Sequence, residues 1–181
     1  MPYTPPKIEA VNYPAPANAM AQRALAHITD LIFHHTAGPA VQSALAIDVE
    51  HRDEGWAMIG YNYVIGHDGT IYAARPVVYV PAAAYGRNSQ SINVVLTGNF
   101  QEGDPGYTGP PTAAQVASAT HLSIWLHKQF PSISRTIGHC DVATLFFPND
   151  TGPYSTACPG NEFYKLLPQL KHDTLASMKA T

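Results

Sequence analysis

The chain has 181 residues, 45% of them hydrophobic and 13% charged, with a formal net charge of −3. That balance suits one domain with its own core and excludes a disordered chain. It offers no basic face for a nucleic-acid partner, and no run of about 18 apolar residues that would insert into a membrane.

Five prolines among residues 1–17 predict an extended surface arm. The start MPYTPPKIEA lacks the basic-then-apolar pattern of a signal peptide. The expectation is therefore a chain cytoplasmic as synthesised, which reaches any outside target by another export route. Residues 18–28 carry Ala, Leu and Ile at helical spacing and predict a short helix. Leu31-Ile32-Phe33-His34-His35 reads as a buried central strand. Residues 40–54 predict a helix stopped by Gly55. In YNYVIGHDGTIYAA, alternation around Asp68-Gly69 predicts a hairpin. SINVVLTG, at 91–98, predicts a further strand.

Thr112 and Gln115 form a capping-box pattern that opens the clearest helix, with Val116, Ala119, Leu122, Leu126 and Phe130 on one face and Pro131 at its end. Thr136–His139 predicts one more short strand, 141–157 a long loop, and 161–167 a helix, with Pro168 starting another. Strands mixed with helices predict an α/β fold, a central mixed β-sheet flanked by helices.

Nine histidines are many for this length, whereas two cysteines, Cys140 and Cys158, are too few for a disulfide scaffold. A single bridge between them stays open at this point. Zinc takes His nitrogen and Cys sulfur in a tetrahedral set, and a catalytic site keeps one of the four positions for water. His34, His139 and Cys158 supply such donors, but their spacing forms no compact metal motif. A single histidine in such a place is more often a hydrogen-bonded polar residue than a ligand.

LIFHHTAG, MIGYNYVIGHDGTIY, SINVVLTGNF, IGHCDV and TACPG occur in that order. This series resembles the N-acetylmuramoyl-L-alanine amidase family, which includes phage lysozyme-type amidases and animal peptidoglycan recognition proteins. The resemblance implies a peptidoglycan-recognition-protein-like zinc amidase fold. It runs from about residue 29 to residue 167, and the division expected from it is an N-terminal extension, 1–28, and a single zinc amidase catalytic domain, 29–181, whose C-terminal tail lies outside the match. It implies one zinc ion per chain on His34, His139 and Cys158, with Tyr61 and Thr156 as catalytic groups. Bacterial peptidoglycan is the implied partner, met by a monomer after release from the cell. Because neighbouring strand residues face opposite ways, His34 and His35 cannot easily share a metal, and the family pattern selects His34. Zinc would lower the pKa of a bound water to about 7 for attack on the lactyl amide, and Tyr61 would donate to the oxyanion. Thr36, Asn88 and Asn93 are candidate glycan or peptide contacts.

The sequence also departs from its relatives. Ala83 stands where many carry His, Val95 where some carry Glu, Thr156 where some carry Lys, and Asn93 where the SIGI block has Gly. No general base is therefore assigned, and Asp141 is the candidate partner of His139. Cys158 has rival readings as a thiol nucleophile beside a His, or as an inert buried thiol. Cys140 reads as core, and His121, His127 and His67 as solvent-facing. His51 reads as helix surface or groove wall. The expected activity is amidase action by a phage-type endolysin. The alternatives are a muropeptide-recycling amidase in the cytoplasm and a peptidoglycan-binding module without catalysis.

Overall fold

The computed structural model describes residues 3–149 and 155–179. Its frame is a six-stranded sheet in the order β1-β4-β3-β5-β2-β6. The strands are β1 (Ile8–Glu9), β2 (Asp30–His35), β3 (Tyr63–Ile65), β4 (Ile71–Ala73), β5 (Ser91–Leu96) and β6 (Arg135–Gly138). Only the β3–β4 hairpin is antiparallel; the other neighbours run parallel, so the sheet is mixed. Among the described residues it is flanked by α1 (Ala44–Asp53), α2 (Ala113–Gln129), α3 (Asp141–Phe146), α4 (Asn161–Tyr164) and α5 (Leu167–Lys179).

Strands β2 and β5 are buried at every residue, as continuous apolar runs in parallel strands require. Their alternation builds two cores. Leu31, Phe33, Val94 and Leu96 pack with Ala119, Leu122 and Leu126 of α2 and Leu167 and Leu170 of α5. On the opposite face, Val64 and Val95 pack with Ala44 and Ile47 of α1, and Ile32 packs with Val142 of α3. The β2-α1-β3 and β5-α2-β6 connections thus cross the sheet in opposite directions on opposite faces. The C-terminal ends of the central strands, the usual ligand position in open α/β sheets, lie where the two connections diverge.

Ser43 caps α1 by accepting from the Ala46 N–H, and the Thr112–Gln115 capping box of α2 forms in both directions. At the hairpin turn Gly69 adopts φ +84°, and a Cβ there would lie 2.8 Å from the Ala114 carbonyl oxygen. Only glycine lets the turn rest on the start of α2. Pro168 falls in the first turn of α5, where its missing N–H costs nothing.

Three expectations are corrected. The Pro-rich arm is not merely draped on the surface, since Ile8 and Glu9 pair with Ile71 and Tyr72 as an edge strand. Residues 18–28 form no helix beyond a single 3-10 turn at Leu25–His27. Gln22 instead bridges to Tyr79, and the Arg23 guanidinium donates to the carbonyls of Val77, Asn88 and Ser91. The stretch expected to be a loop from 141 begins as α3, anchored by buried Val142 and by Phe146 under the guanidinium groups of Arg87 and Arg135. Residues 150–154 of that stretch lie outside the described residues.

Candidate metal centre

His34 is the penultimate residue of β2 and projects on the α1 face. His139 directly follows β6, and its backbone N–H donates to the Phe33 carbonyl, which sets it beside His34. The two imidazole centroids are 4.6 Å apart. Cys158 arrives from the far side of the long connection and is tied in by Cys140 N–H donating to its carbonyl at 2.7 Å. Gly138 permits this approach, since a Cβ there would lie 2.9 Å from Pro159 Cδ.

The donor atoms of His34, His139 and Cys158 all lie within 4.8 Å of one another, with Cys158 Sγ 3.5 Å from His34 Nδ1. Tetrahedral zinc with bonds of 2.0–2.3 Å needs donor separations of roughly 3.3–3.7 Å, so the set fits once its widest pair draws in by up to about an ångström. Both cysteines are free thiols, which closes the question of a bridge between them.

Burial holds both histidines neutral. His139 is lowered to about 4, by burial first and by His35 second, and His34 is held well below its ordinary range by burial first and by His139 second. Although part of Cys158 reaches solvent, burial pushes its thiol up to about 12. Without a cation beside it the sulfur stays protonated at neutral pH, which argues against a free thiolate nucleophile. Two neutral imidazoles and a thiol that releases its proton only when a metal binds would make a zinc-type donor set.

The same burial gives the protein a pH dependence. His35, His51 and His139 sit at about 4, against an ordinary 6.5, because burial penalises their charged forms. In the unfolded chain each returns towards 6.5. Below that value the unfolded state binds more protons than the folded state, and stability falls. The metal-free protein is expected to hold a constant thermal midpoint above about pH 7 and to lose it steadily from pH 6.5 towards 4. A midpoint unchanged down to about pH 4.5 would contradict neutral burial of these rings.

The other sequence candidates divide into two groups. Tyr61 joins the centre, its ring centroid 5.2 Å from that of His34. Thr156 adjoins it, its Oγ accepting from Cys158 N–H at 3.1 Å. Asn93 is fully buried, with its amide between His34 and Ser91, so it lines no substrate surface. Asn88 accepts from the N–H groups of Ala83 and Ala84 and shapes a turn. Thr36 braces Gly98 through its hydroxyl. Asp141 spends its carboxylate on Gly138 N–H and the Tyr164 hydroxyl, not on His139. His35 points to the opposite face, where its Nδ1 accepts from Phe100 N–H. His127, expected in solvent, is half-buried against Ser123 and Thr136, and His121 contacts the N-terminal arm through the Thr4 carbonyl.

His51, expected at the helix surface or as a groove wall, is half-buried beside Tyr61. The His51 ring packs tilted against Trp56 at 4.4 Å and Tyr61 at 5.4 Å between centroids, while its Nδ1 accepts from Gly60 N–H. The signal lay in the i, i+3, i+4, i+7 set of Ala44, Ile47, Asp48 and His51, which marks the inward stripe of α1.

Residues 24–161 match the family model described as N-acetylmuramoyl-L-alanine amidase. The chain is 31% identical over 148 residues to peptidoglycan-recognition protein SC2 of Drosophila melanogaster, covering 76% of this chain and 71% of that one. It is 33% identical over 100 residues to an endolysin of Enterobacteria phage T3, covering 55% of this chain and 64% of the endolysin. Among solved structures, the endolysin amidase LysCS from Clostridium intestinale URNW superposes with a TM-score of 0.74 at 29% identity, covering 94% of this chain and 99% of that one.

Proposed function

Because the chain belongs to the N-acetylmuramoyl-L-alanine amidase family, we propose that it hydrolyses the amide between N-acetylmuramic acid and L-alanine in bacterial peptidoglycan, with one zinc ion held by His34, His139 and Cys158. The observation that carries this reading is the complete donor set beside the ends of β2 and β6, within reach of a single ion. When bound, zinc supplies Lewis acidity and brings the pKa of a coordinated water to about 7.

The chain's own groups do the rest. Burial first, and Cys158 second, hold the Tyr61 phenol well above its ordinary range, so it stays protonated and donates to the amide oxygen as negative charge develops. The Thr156 oxygen accepts from Cys158 N–H, which fixes it beside the sulfur and leaves its proton to donate across the cleft. Val95, where some cell-wall amidases carry Glu, is wholly buried and apolar, so no proton acceptor comes from that position. The role we assign is that of an endolysin, acting on the wall after release from the cell that makes it. Its likeness to the T3 endolysin and to LysCS supports this role.

The likeness to animal recognition proteins favours a second reading, peptidoglycan binding without cleavage. The two separate on metal and product. Incubated with a soluble N-acetylmuramoyl peptide, the protein is expected to release a new L-alanyl amine, to stop when zinc is chelated, and to recover with one equivalent of zinc. Absence of both stoichiometric zinc and released peptide would establish the binding reading. Clearing of intact walls supports the endolysin; activity confined to soluble fragments would point to recycling.

A further inference from the structure

A buried chain of amides lies behind His34, in addition to the donors in front of it. The register of β2 on β5 pairs Ile32 with Asn93 and His34 with Val95. Alternate residues share a strand face, so His34 and Asn93 lie diagonally on the α1 side. His34 Nε2 and Asn93 Oδ1 are 2.8 Å apart. Asn93 Nδ2 donates to Ser91 Oγ at 2.8 Å, and Asn93 N–H donates to Asn62 Oδ1 at 3.0 Å. Asn62 in turn donates to the Arg75 carbonyl and, through its backbone, to the Asn93 carbonyl. His34 and Asn62 are 1% exposed, Asn93 and Ser91 0%.

Such a network is shut off from bulk solvent, so its donors and acceptors must alternate. His34 turns Nδ1 to the Cys158 sulfur and Nε2 to Asn93. With Asn93 presenting its carbonyl oxygen, Nε2 must carry the proton, and the Nδ1 lone pair is left free on the metal side. A glycine, which the related SIGI blocks carry at this place, has no side chain to do this. The link also runs sideways, since Asn62 follows Tyr61 directly. One buried network therefore fixes both a metal ligand and the backbone that carries the phenol.

We propose that Asn93 is a positioning residue that locks His34 in the Nε2–H tautomer and so preorganises the zinc site. This rests on the metal reading of the site given above. Asn93→Ala is expected to weaken zinc binding roughly 10- to 100-fold in a chelator-competition titration, as loss of a ligand's hydrogen-bond partner does elsewhere. Asn93→Asp, which keeps an acceptor in the same place, is expected to restore affinity close to wild type. Ring nitrogen shifts of His34 in the metal-free protein should show the Nε2–H form in wild type and Asn93→Asp, and a mixture in Asn93→Ala. Wild-type zinc affinity in a folded Asn93→Ala would overturn the proposal, as would an Nδ1–H ring in the metal-free wild type. If Asn93→Ala does not fold, the wild-type tautomer and the Asp variant still decide. A wild-type protein that binds no zinc would instead defeat the metal reading, and the ring shifts would still report separately on Asn93.

Discussion

Cys158→Ala is expected to lose stoichiometric zinc and to lower hydrolysis of the muramoyl amide by roughly a thousandfold or more, the scale of several kcal/mol of lost charge stabilisation. His34 and His139 are neutral ligands, so Cys158 is the only one of the three that brings a negative charge to the cation. Its thiol is pushed up to about 12 by burial, and the metal must recover that cost when the proton leaves. Once the sulfur is removed, two imidazoles remain, fewer than the three protein ligands that hold catalytic zinc elsewhere. The fold should survive, because the segment is also held by Cys140 N–H on the residue 158 carbonyl and by the Phe163 side chain in the core. Zinc content by metal analysis, peptide release and circular dichroism on one preparation would check this. A folded Cys158→Ala protein with full activity would remove the metal assignment. The thiol-nucleophile reading predicts the same loss of activity, but it also predicts that chelation leaves the wild type active, and that outcome distinguishes the two.

The parts of the fold legible in the sequence were those where local pattern and tertiary demand agree. The apolar run ending in His34 and His35 had to be a buried strand, and the Thr112–Gln115 box had to open a helix. Where the two disagree, pattern misleads. Ala and Leu at 18–28 favour a helix, but an extended path lets Arg23 reach three carbonyls that the helix would have left unmet. Helix α3 is only six residues long, too short to form on its own propensity, and depends on Val142 burial and on two guanidinium groups over Phe146. Strand β1 has two residues and no periodicity to detect.

The centre divides in the same way. Three candidate ligands from three distant segments carry no spacing signal, and the order of family blocks tied them together where spacing did not. Strand alternation then separated His34 from His35, and the structure sets them on opposite faces. Asn93 was misplaced for a physical reason. A polar residue in an apolar strand suggests a surface contact, but the β2–β5 register turns it inward, behind His34.

The network behind Tyr61 makes its hydroxyl separable from its ring. The ring lies between those of His34 and His51, at 5.2 and 5.4 Å, and phenylalanine preserves that packing. Tyr61→Phe therefore removes one hydrogen-bond donor and little else. The ground-state amide oxygen carries only a small partial charge, whereas the tetrahedral transition state carries nearly a full one, so a donor aimed at it acts mainly on the barrier. The expected result is a fall in kcat of roughly 10²- to 10³-fold, the usual cost of one oxyanion donor, with KM changed little. Zinc affinity should be unchanged, because the phenol is no ligand, and thermal stability should shift only slightly. Burial keeps the phenol protonated far above neutral pH, so the deficit should be constant from about pH 6 to 9 and should not track a titration. Steady-state kinetics on a soluble muramoyl peptide with zinc-loaded protein would check this. A kcat near wild type would reduce Tyr61 to a packing residue and leave oxyanion stabilisation to the metal and Thr156. A parallel loss of zinc would mean that the phenol holds the ligand cluster together, contrary to the hydrogen bonds that anchor His34 from behind.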